Sequence, residues 1–521
     1  MSLRIEDYAL IGDCQTAALV GKDGSIDWLC LPRFDSGACF AALLGGPKHG
    51  RWQIAPAGPV TAVRRQYRDD TLVLDTEFET AEGTVAVIDF MPSRDRDPNL
   101  VRLVEGRRGR VRMHSELILR FDYGSIVPWV HRTDCGISAT AGPDTVAVMT
   151  PVPLRGKDFT TVADFEVGAG QRVPFSLSYH PSHRPGTMNN DSAFALQETE
   201  AWWREWTKRC TYEGKYRDAV VRSLMVLKAL TYEPTGGIVA APTTSLPEHL
   251  GGVRNWDYRF CWLRDATLSL LALINCGYTD EAGAWRTWLI RAVAGDPGTT
   301  QIMYGLGGER RLTEWVVDWL PGYQDSKPAR VGNAAHGQLQ LDVYGEVFDA
   351  LFQARQHGLA PLEDGWRVSR KLLEWLAKHW DQPDEGIWEV RGPRQHFVHS
   401  KIMAWVAFDR AVKAVERFGR NGPAREWART RDIIHQQVCE KGFDPKRNTF
   451  VQAYGSPNLD ASLLTMALVG FLPPNDPRVV GTVAAIEREL MRDGFVARYD
   501  TKATDDGLPA GEGTFLPCTF W

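Results

Sequence analysis

Apolar residues recur along this chain with two different periods, and the change from one to the other divides it in two. Up to about residue 190 the period is two. In Leu72-Val73-Leu74-Asp75-Thr76-Glu77-Phe78 the positions from Leu74 on alternate, Ala81-Glu82-Gly83 turns the chain, and Thr84-Val85-Ala86-Val87-Ile88-Asp89-Phe90 returns. Alternation with glycine in the turn predicts an antiparallel hairpin. Val111 to Phe121 and Thr145 to Thr150 read the same way. Short strands punctuated by Gly and Pro predict a β-sandwich.

Beyond Asn190 the period becomes that of a helix. Asp191-Ser192 is placed to cap a helix running through Glu198, Trp202, Trp203 and Trp206. After Gly214, Val220, Val221, Leu224 and Leu227 share one face of a helix over 217–230. Further helices are predicted near 263–275, 279–293, 338–356, 365–380, 399–417, 424–440, 458–470 and 478–490. The domains are therefore drawn as a sandwich over 1–190, a linker helix over 191–214 and a helical domain over 215–521. The long loops between helices carry the Trp, Gly and charged motifs, where function usually sits.

Composition narrows the classes. A chain of 521 residues exceeds one ordinary core and suits about two or three domains. A net charge of −5 gives no reason to expect nucleic acid as a partner. No apolar run is long enough for a membrane span, and the start, MSLRIEDYALIGD, lacks a signal-type core. Nine scattered cysteines do not form a disulfide framework and suit a reducing cytoplasm. Nineteen tryptophans are many. Most are expected in cores and a few, roughly three to six, along a ligand wall.

Three groups of residues can carry chemistry. Glu389 follows Trp388 in Gly386-Ile387-Trp388-Glu389-Val390-Arg391-Gly392, where partial burial favours a protonated carboxyl. On local sequence alone the same glutamate is better explained as a loop residue paired with Arg391 or Arg394. Glu512 lies between Gly511 and Gly513, which allow close approach of a ligand, and Thr514 near a helix start would put it in a favourable dipole. It also reads as a simple helix cap. Arg254, Asp257, Arg264 and Asp265, with Trp256, Tyr258 and Trp262, supply the charged donors and flat faces that hold sugars. They also fit a buried ion-pair cluster.

Other signals are weak. Gly305-Leu306-Gly307-Gly308 lacks a P-loop lysine, and His396 and His399 lack metal-ligand neighbours, so neither phosphate nor metal binding is expected. Asp505-Asp506 reads as a solvated loop, and Cys261 and Cys518 as packing residues.

Taken together, these motifs resemble glycoside hydrolase family 15, the glucoamylases and bacterial trehalases. The opening Ile5-Glu6-Asp7-Tyr8-Ala9-Leu10-Ile11-Gly12-Asp13 and the run Asp23-Gly24-Ser25-Ile26-Asp27-Trp28 resemble its bacterial branch. The resemblance implies an α+β multidomain fold, a β-sandwich followed by an (α/α)6 barrel. It implies that Glu389 is the general acid and Glu512 the general base. It also implies that Arg264 and Asp265 of the Trp262-Leu263-Arg264-Asp265 motif grip a glucose, with Trp262, Trp256, Asp257 and Trp388 in the pocket. The implied reaction is inverting hydrolysis of an α-glucoside, with the carboxyls about 6.5–9.5 Å apart and no metal or organic cofactor. Trehalose is the expected substrate and maltooligosaccharides or isomaltose-type sugars the alternative. A disaccharide phosphorylase and an inactive sugar-binding fragment are further readings. The chain reaches Trp521 with fewer helices than the family's barrel has, so the barrel is expected to lack its last helices, with exposed apolar flanks. The oligomeric state is left open.

Overall fold

The structure, a computed structural model, describes residues 2–521 apart from Asp95 and Thr187–Asn190. The boundary drawn at Asn190 therefore lies outside the described residues.

The first half is an antiparallel sandwich whose two sheets share one long strand, Asn99–Ile118. Its first part pairs with Gly83–Phe90 and Arg172–Pro181, its second with Arg51–Pro56 and Thr160–Gly168. The change of sheet falls between Gly109 and Arg110; at Gly106, just before it, an added Cβ would lie 2.1 Å from the Gly168 carbonyl oxygen. The expected hairpin is Leu74–Thr80 with Gly83–Phe90, in the register Leu74↔Asp89 to Thr80↔Gly83. Its alternation has two destinations. Val85 and Val87 face the core between the sheets, while Ile88 and Phe90 face Ala195 and Leu196 of the first helix. That helix, α1 (Ser192–Thr207), begins at Asp191, whose carboxylate accepts from the Ala193 and Phe194 N–H groups. Arg102, fully buried, is matched by Asp89 at 2.7 Å and by the carbonyls of Trp52 and Gly24.

The second half is helical. α2 (Arg217–Ala229), α3 (Leu263–Asn275) and α4 (Thr279–Val293) lie where periodicity put them. α5 (Asp342–Gln356) starts later than expected because side chains take its leading amides. Glu385 accepts from the Leu339 N–H and Asp384 from the Leu341 N–H, each at 2.9 Å. α6 (Glu363–Leu376), α7 (Val398–Phe418) and α8 (Ala424–Lys441) follow. α7 is the most buried, packed between α5 and α8. The helix expected over 458–470 is broken. Asp460 accepts from the Ser462 N–H and starts a 3-10 turn over Ala461–Leu464, leaving only the single turn α9 (Thr465–Leu468). α10 (Pro477–Leu490) and the short α11 (Pro517–Phe520) complete the helices among the described residues. Leu268 on α3, Val480 and Val483 on α10, and Phe520 on α11 are exposed apolar side chains.

The halves are tied by a mixed core. Trp28, Leu43 and Tyr123 of the sandwich pack against Val317, Leu320 and Tyr323 of a long helical-domain loop. The Trp28 Nε1–H donates to the Pro242 carbonyl at 2.8 Å. No helix among the described residues is long and apolar enough to cross a membrane.

Candidate active site

Loops leaving the helices enclose a cavity of about 440 Å³, within the usual range for small-molecule sites. Three segments build it: the approach to α3, the loop between α6 and α7, and the stretch before α11. The second and third are interlocked by glycines. A Cβ at Gly392 would sit 2.6 Å from the Asp505 carbonyl, and one at Gly507 (φ +75°) 2.5 Å from the Arg391 carbonyl carbon. The Arg391 N–H also donates to the Asp506 carbonyl at 2.8 Å. The two loops that carry the sequence-selected glutamates are thus one unit.

Glu389 lines the cavity with a left-handed backbone, φ +58°, unusual for a residue with a side chain. The Trp262 Nε1–H donates to its Oε1 at 2.7 Å, and Arg264 Nη2 stands 3.9 Å from the same oxygen. Arg264 is itself fixed by the Ile387 carbonyl at 2.6 Å and Asp265 at 3.0 Å. Burial pushes the Glu389 carboxyl up from its ordinary value, against the pull of Arg264 and the indole bond. The side chain still keeps 20 % of its surface open. Neither Arg391 nor Arg394 pairs with it. Arg391 turns to Glu314 and Arg394 to Glu385.

Glu512 is held differently. Both of its oxygens take N–H groups of Arg498, Nε at 3.2 Å to Oε1 and Nη2 to Oε2, and Arg254 Nη1 lies 3.8 Å away. It is not near a helix start, since α11 begins only at Pro517, and Arg498 supplies the positive charge expected from a dipole. Gly513 and Thr514 line the cavity. Gly513 is needed for space, because a Cβ there would be 2.3 Å from the Glu248 carbonyl oxygen.

Arg498 also binds a carboxylate that sequence reasoning missed. Its Nη2 donates to Glu248 Oε2 at 2.8 Å, and the Tyr258 hydroxyl donates to Glu248 Oε1 at 3.4 Å. Glu248 lines the cavity, and burial, with the neighbouring Glu512 charge, pushes its carboxyl up against the pull of Arg498. Arg498 in turn lies over the Trp388 ring at 5.4 Å. Nothing local in the sequence links Glu248 to Arg498.

The other expected residues divide. Trp262, Arg264, Asp265, Trp388 and Trp256 all line the cavity. Trp388 is anchored by its Nε1–H to Asp460 at 2.9 Å. Trp256 carries the guanidinium groups of Arg330 and Arg391 on its ring, at 4.5 and 4.7 Å, so it is already engaged by two cations. Asp257 is not in the cavity. It is fully buried and paired with the equally buried Arg259 at 2.7 Å. Arg259 continues across the domain boundary to the Ser36 carbonyl at 2.9 Å and the Tyr123 hydroxyl at 2.8 Å. Asp257 therefore belongs to the joint between the halves, the buried ion pair that the sequence also allowed. Asp506 is no solvated residue either. It is 2 % exposed and accepts from Arg254 and Tyr499, each at 2.7 Å.

No cluster of three or more His, Cys, Asp or Glu among the described residues is arranged to hold a metal ion. His396 stacks on Tyr454 and His399 is buried in α7.

Residues 214–521 match the sequence profile of glycosyl hydrolases family 15, and residues 1–164 that of a trehalase-like N-terminal domain. The trehalase of Thermoplasma volcanium is 36 % identical over 524 residues, 99 % of this chain and 84 % of that protein. The trehalase of Mycobacterium tuberculosis is 37 % identical over 552 residues, 99 % of this chain and 80 % of that protein. Among solved structures, a bacterial glucoamylase complexed with acarbose superposes with a TM-score of 0.69 at 13 % identity, covering 99 % of this chain and 84 % of that one. That likeness speaks for the fold, a sheet domain followed by a helical one.

Proposed function

The chain belongs to glycosyl hydrolases family 15 and is a glycoside hydrolase; from that premise we propose that it hydrolyses trehalose with inversion, Glu389 acting as general acid and Glu512 as general base. Trehalose is preferred over maltooligosaccharides because relatives that carry the name trehalase align along almost the whole chain.

One observation carries the division of labour. Two carboxylates on interlocked loops stand in opposite surroundings, Glu389 in the cavity lining and Glu512 just behind it, next to the lining residues Gly513 and Thr514. Glu389 is raised by burial and has one neutral donor, so it can hold a proton for the departing oxygen. Glu512 is ion-paired with Arg498, as suits a group that takes a proton from water. Arg264 and Asp265, bonded to each other at the cavity wall, offer a donor and an acceptor to the hydroxyls of the bound glucose.

The mechanism follows. Glu389 protonates the glycosidic oxygen as the bond to the anomeric carbon breaks. Glu512 draws a proton from a water on the opposite face of the ring. The positive charge that develops on the sugar sits among the carboxylates of Asp265, Glu248 and Glu512. A cytoplasmic setting belongs to the same reading, supported by cysteines that are all unpaired among the described residues.

A second assignment of the base is favoured by one fact: Glu248 lines the cavity and shares Arg498 with Glu512. Kinetics of Glu512→Gln and Glu248→Gln separate the two, the base being the residue whose loss removes turnover. For the substrate, trehalose should exceed maltose and isomaltose in kcat/KM by about tenfold or more, a difference of roughly 1.4 kcal/mol in transition-state binding. A preference for maltose, or release of glucose 1-phosphate instead of glucose, would overturn the trehalase reading.

A further inference from the structure

A separate small pocket of about 60 Å³ lies among α4, α5, α6 and α7. It is too small for a sugar but has room for a small ion or a few waters. Four arginines reach it. Arg410 is neutralised by Asp349 at 2.7 Å and Asp409 at 2.6 Å, and Arg420 by Glu363 at 2.5 Å.

Arg286 and Arg355 have no such partner among the described residues. Arg286, 8 % exposed, gives one Nη1–H to the Ala360 carbonyl at 2.6 Å. Arg355 gives one Nη1–H to the Leu359 carbonyl at 2.6 Å and lies over the Phe418 ring at 5.3 Å. The Nε–H of each is buried without an acceptor. Burial and the nearby Arg355 charge both push Arg286 below its ordinary range. The same space borders the first turn of α6 at Leu362 and Gly365, and no side chain caps that helix.

Two guanidinium groups without a carboxylate partner, buried Arg286 and half-buried Arg355, therefore line one small space, while the acidic side chains of the adjoining helix start are engaged elsewhere, Glu363 by Arg420 and Asp364 by Arg367. Buried cations are normally paired, and helix N-termini with free N–H groups attract anions. We propose that this space binds one small inorganic anion, a halide or a phosphate-sized oxyanion, held between Arg286 and Arg355. The site is distinct from the cavity around Glu389 and shares no lining residue with it.

The test uses the full chain at fixed ionic strength, with potassium gluconate replaced stepwise by potassium bromide or potassium phosphate. The thermal midpoint should rise and saturate, by roughly 1–3 °C. Bromide alone raising it identifies a halide site, phosphate alone an oxyanion site. Arg286→Met and Arg355→Met should each abolish the rise. Crystals of the unaltered chain grown with the stabilising anion should show it in contact with both guanidinium groups, bromide by its anomalous signal, whether or not the variants fold. A non-saturating response that is equal in the unaltered chain and both variants, or ordered waters in place of the ion, would overturn the proposal.

Discussion

The Trp262 Nε1–H donates to Glu389 Oε1 at 2.7 Å, and this bond opposes the burial that raises the carboxyl. It favours the ionised form. Without it the carboxyl keeps its proton to higher pH. Trp262→Phe should therefore move the alkaline limb of the kcat/KM profile upward, by about one pH unit if the bond contributes about 1.4 kcal/mol. Glu389→Gln should lower kcat by about 10²–10⁴-fold and remove that limb altogether. A pH profile unchanged in Trp262→Phe would show that Glu389 is not the group being titrated.

Glu512→Gln should lower kcat by about 10²-fold or more with little change in KM. It should also lower the thermal midpoint, since Arg498 loses part of its ion pairing in a nearly closed setting, 14 % exposed. Glu248→Gln should keep turnover within about tenfold, because Arg498 retains Glu512. Steady-state kinetics with paired thermal melts check both.

Asp257→Asn should act on stability and leave sugar affinity alone. The change leaves Arg259 buried and without its charged partner, at a cost of about 3 kcal/mol. KM should stay within about twofold. A large rise in KM with an unchanged melt would return Asp257 to the sugar site.

Gly507→Ala should damage the site from outside the cavity lining. The new Cβ would meet the Arg391 backbone at 2.5 Å, in a left-handed conformation that alanine resists. The expected cost is roughly 1–3 kcal/mol, with a fall in kcat as the loops bearing Glu389 and Glu512 shift apart. Circular dichroism melts and kinetics measure the two effects together.

Much of this was readable from the chain because the signals are local. α3 and α4 have the expected ends since their apolar stripes are bounded by the turn at Cys276-Gly277-Tyr278. The hairpin around Glu82 needed only alternation and a glycine. Errors arose where distant side chains intervened. Asp384 and Glu385 hold the residues before α5 out of the helix, and Asp460, fixed under Trp388, breaks the one expected over 458–470. Glu248 and Arg498 meet only through the fold, so no spacing announces them. Asp257 was different, because a usable signal existed. In the strand Asn255–Asp257 the side chains alternate, so Trp256 at the cavity puts Asn255 and Asp257 on the opposite, buried face.

The stereochemistry of the first turnover tests the paired-carboxylate reading most directly. Trehalose joins two glucoses through α bonds, so attack by water from the opposite face yields one β-glucose and leaves the departing glucose as α. Proton NMR in the first minutes, before mutarotation, should record the two anomers in equal amounts. Release of α-glucose alone would mean retention, and would contradict a mechanism in which Glu389 donates a proton while a base across the ring activates water.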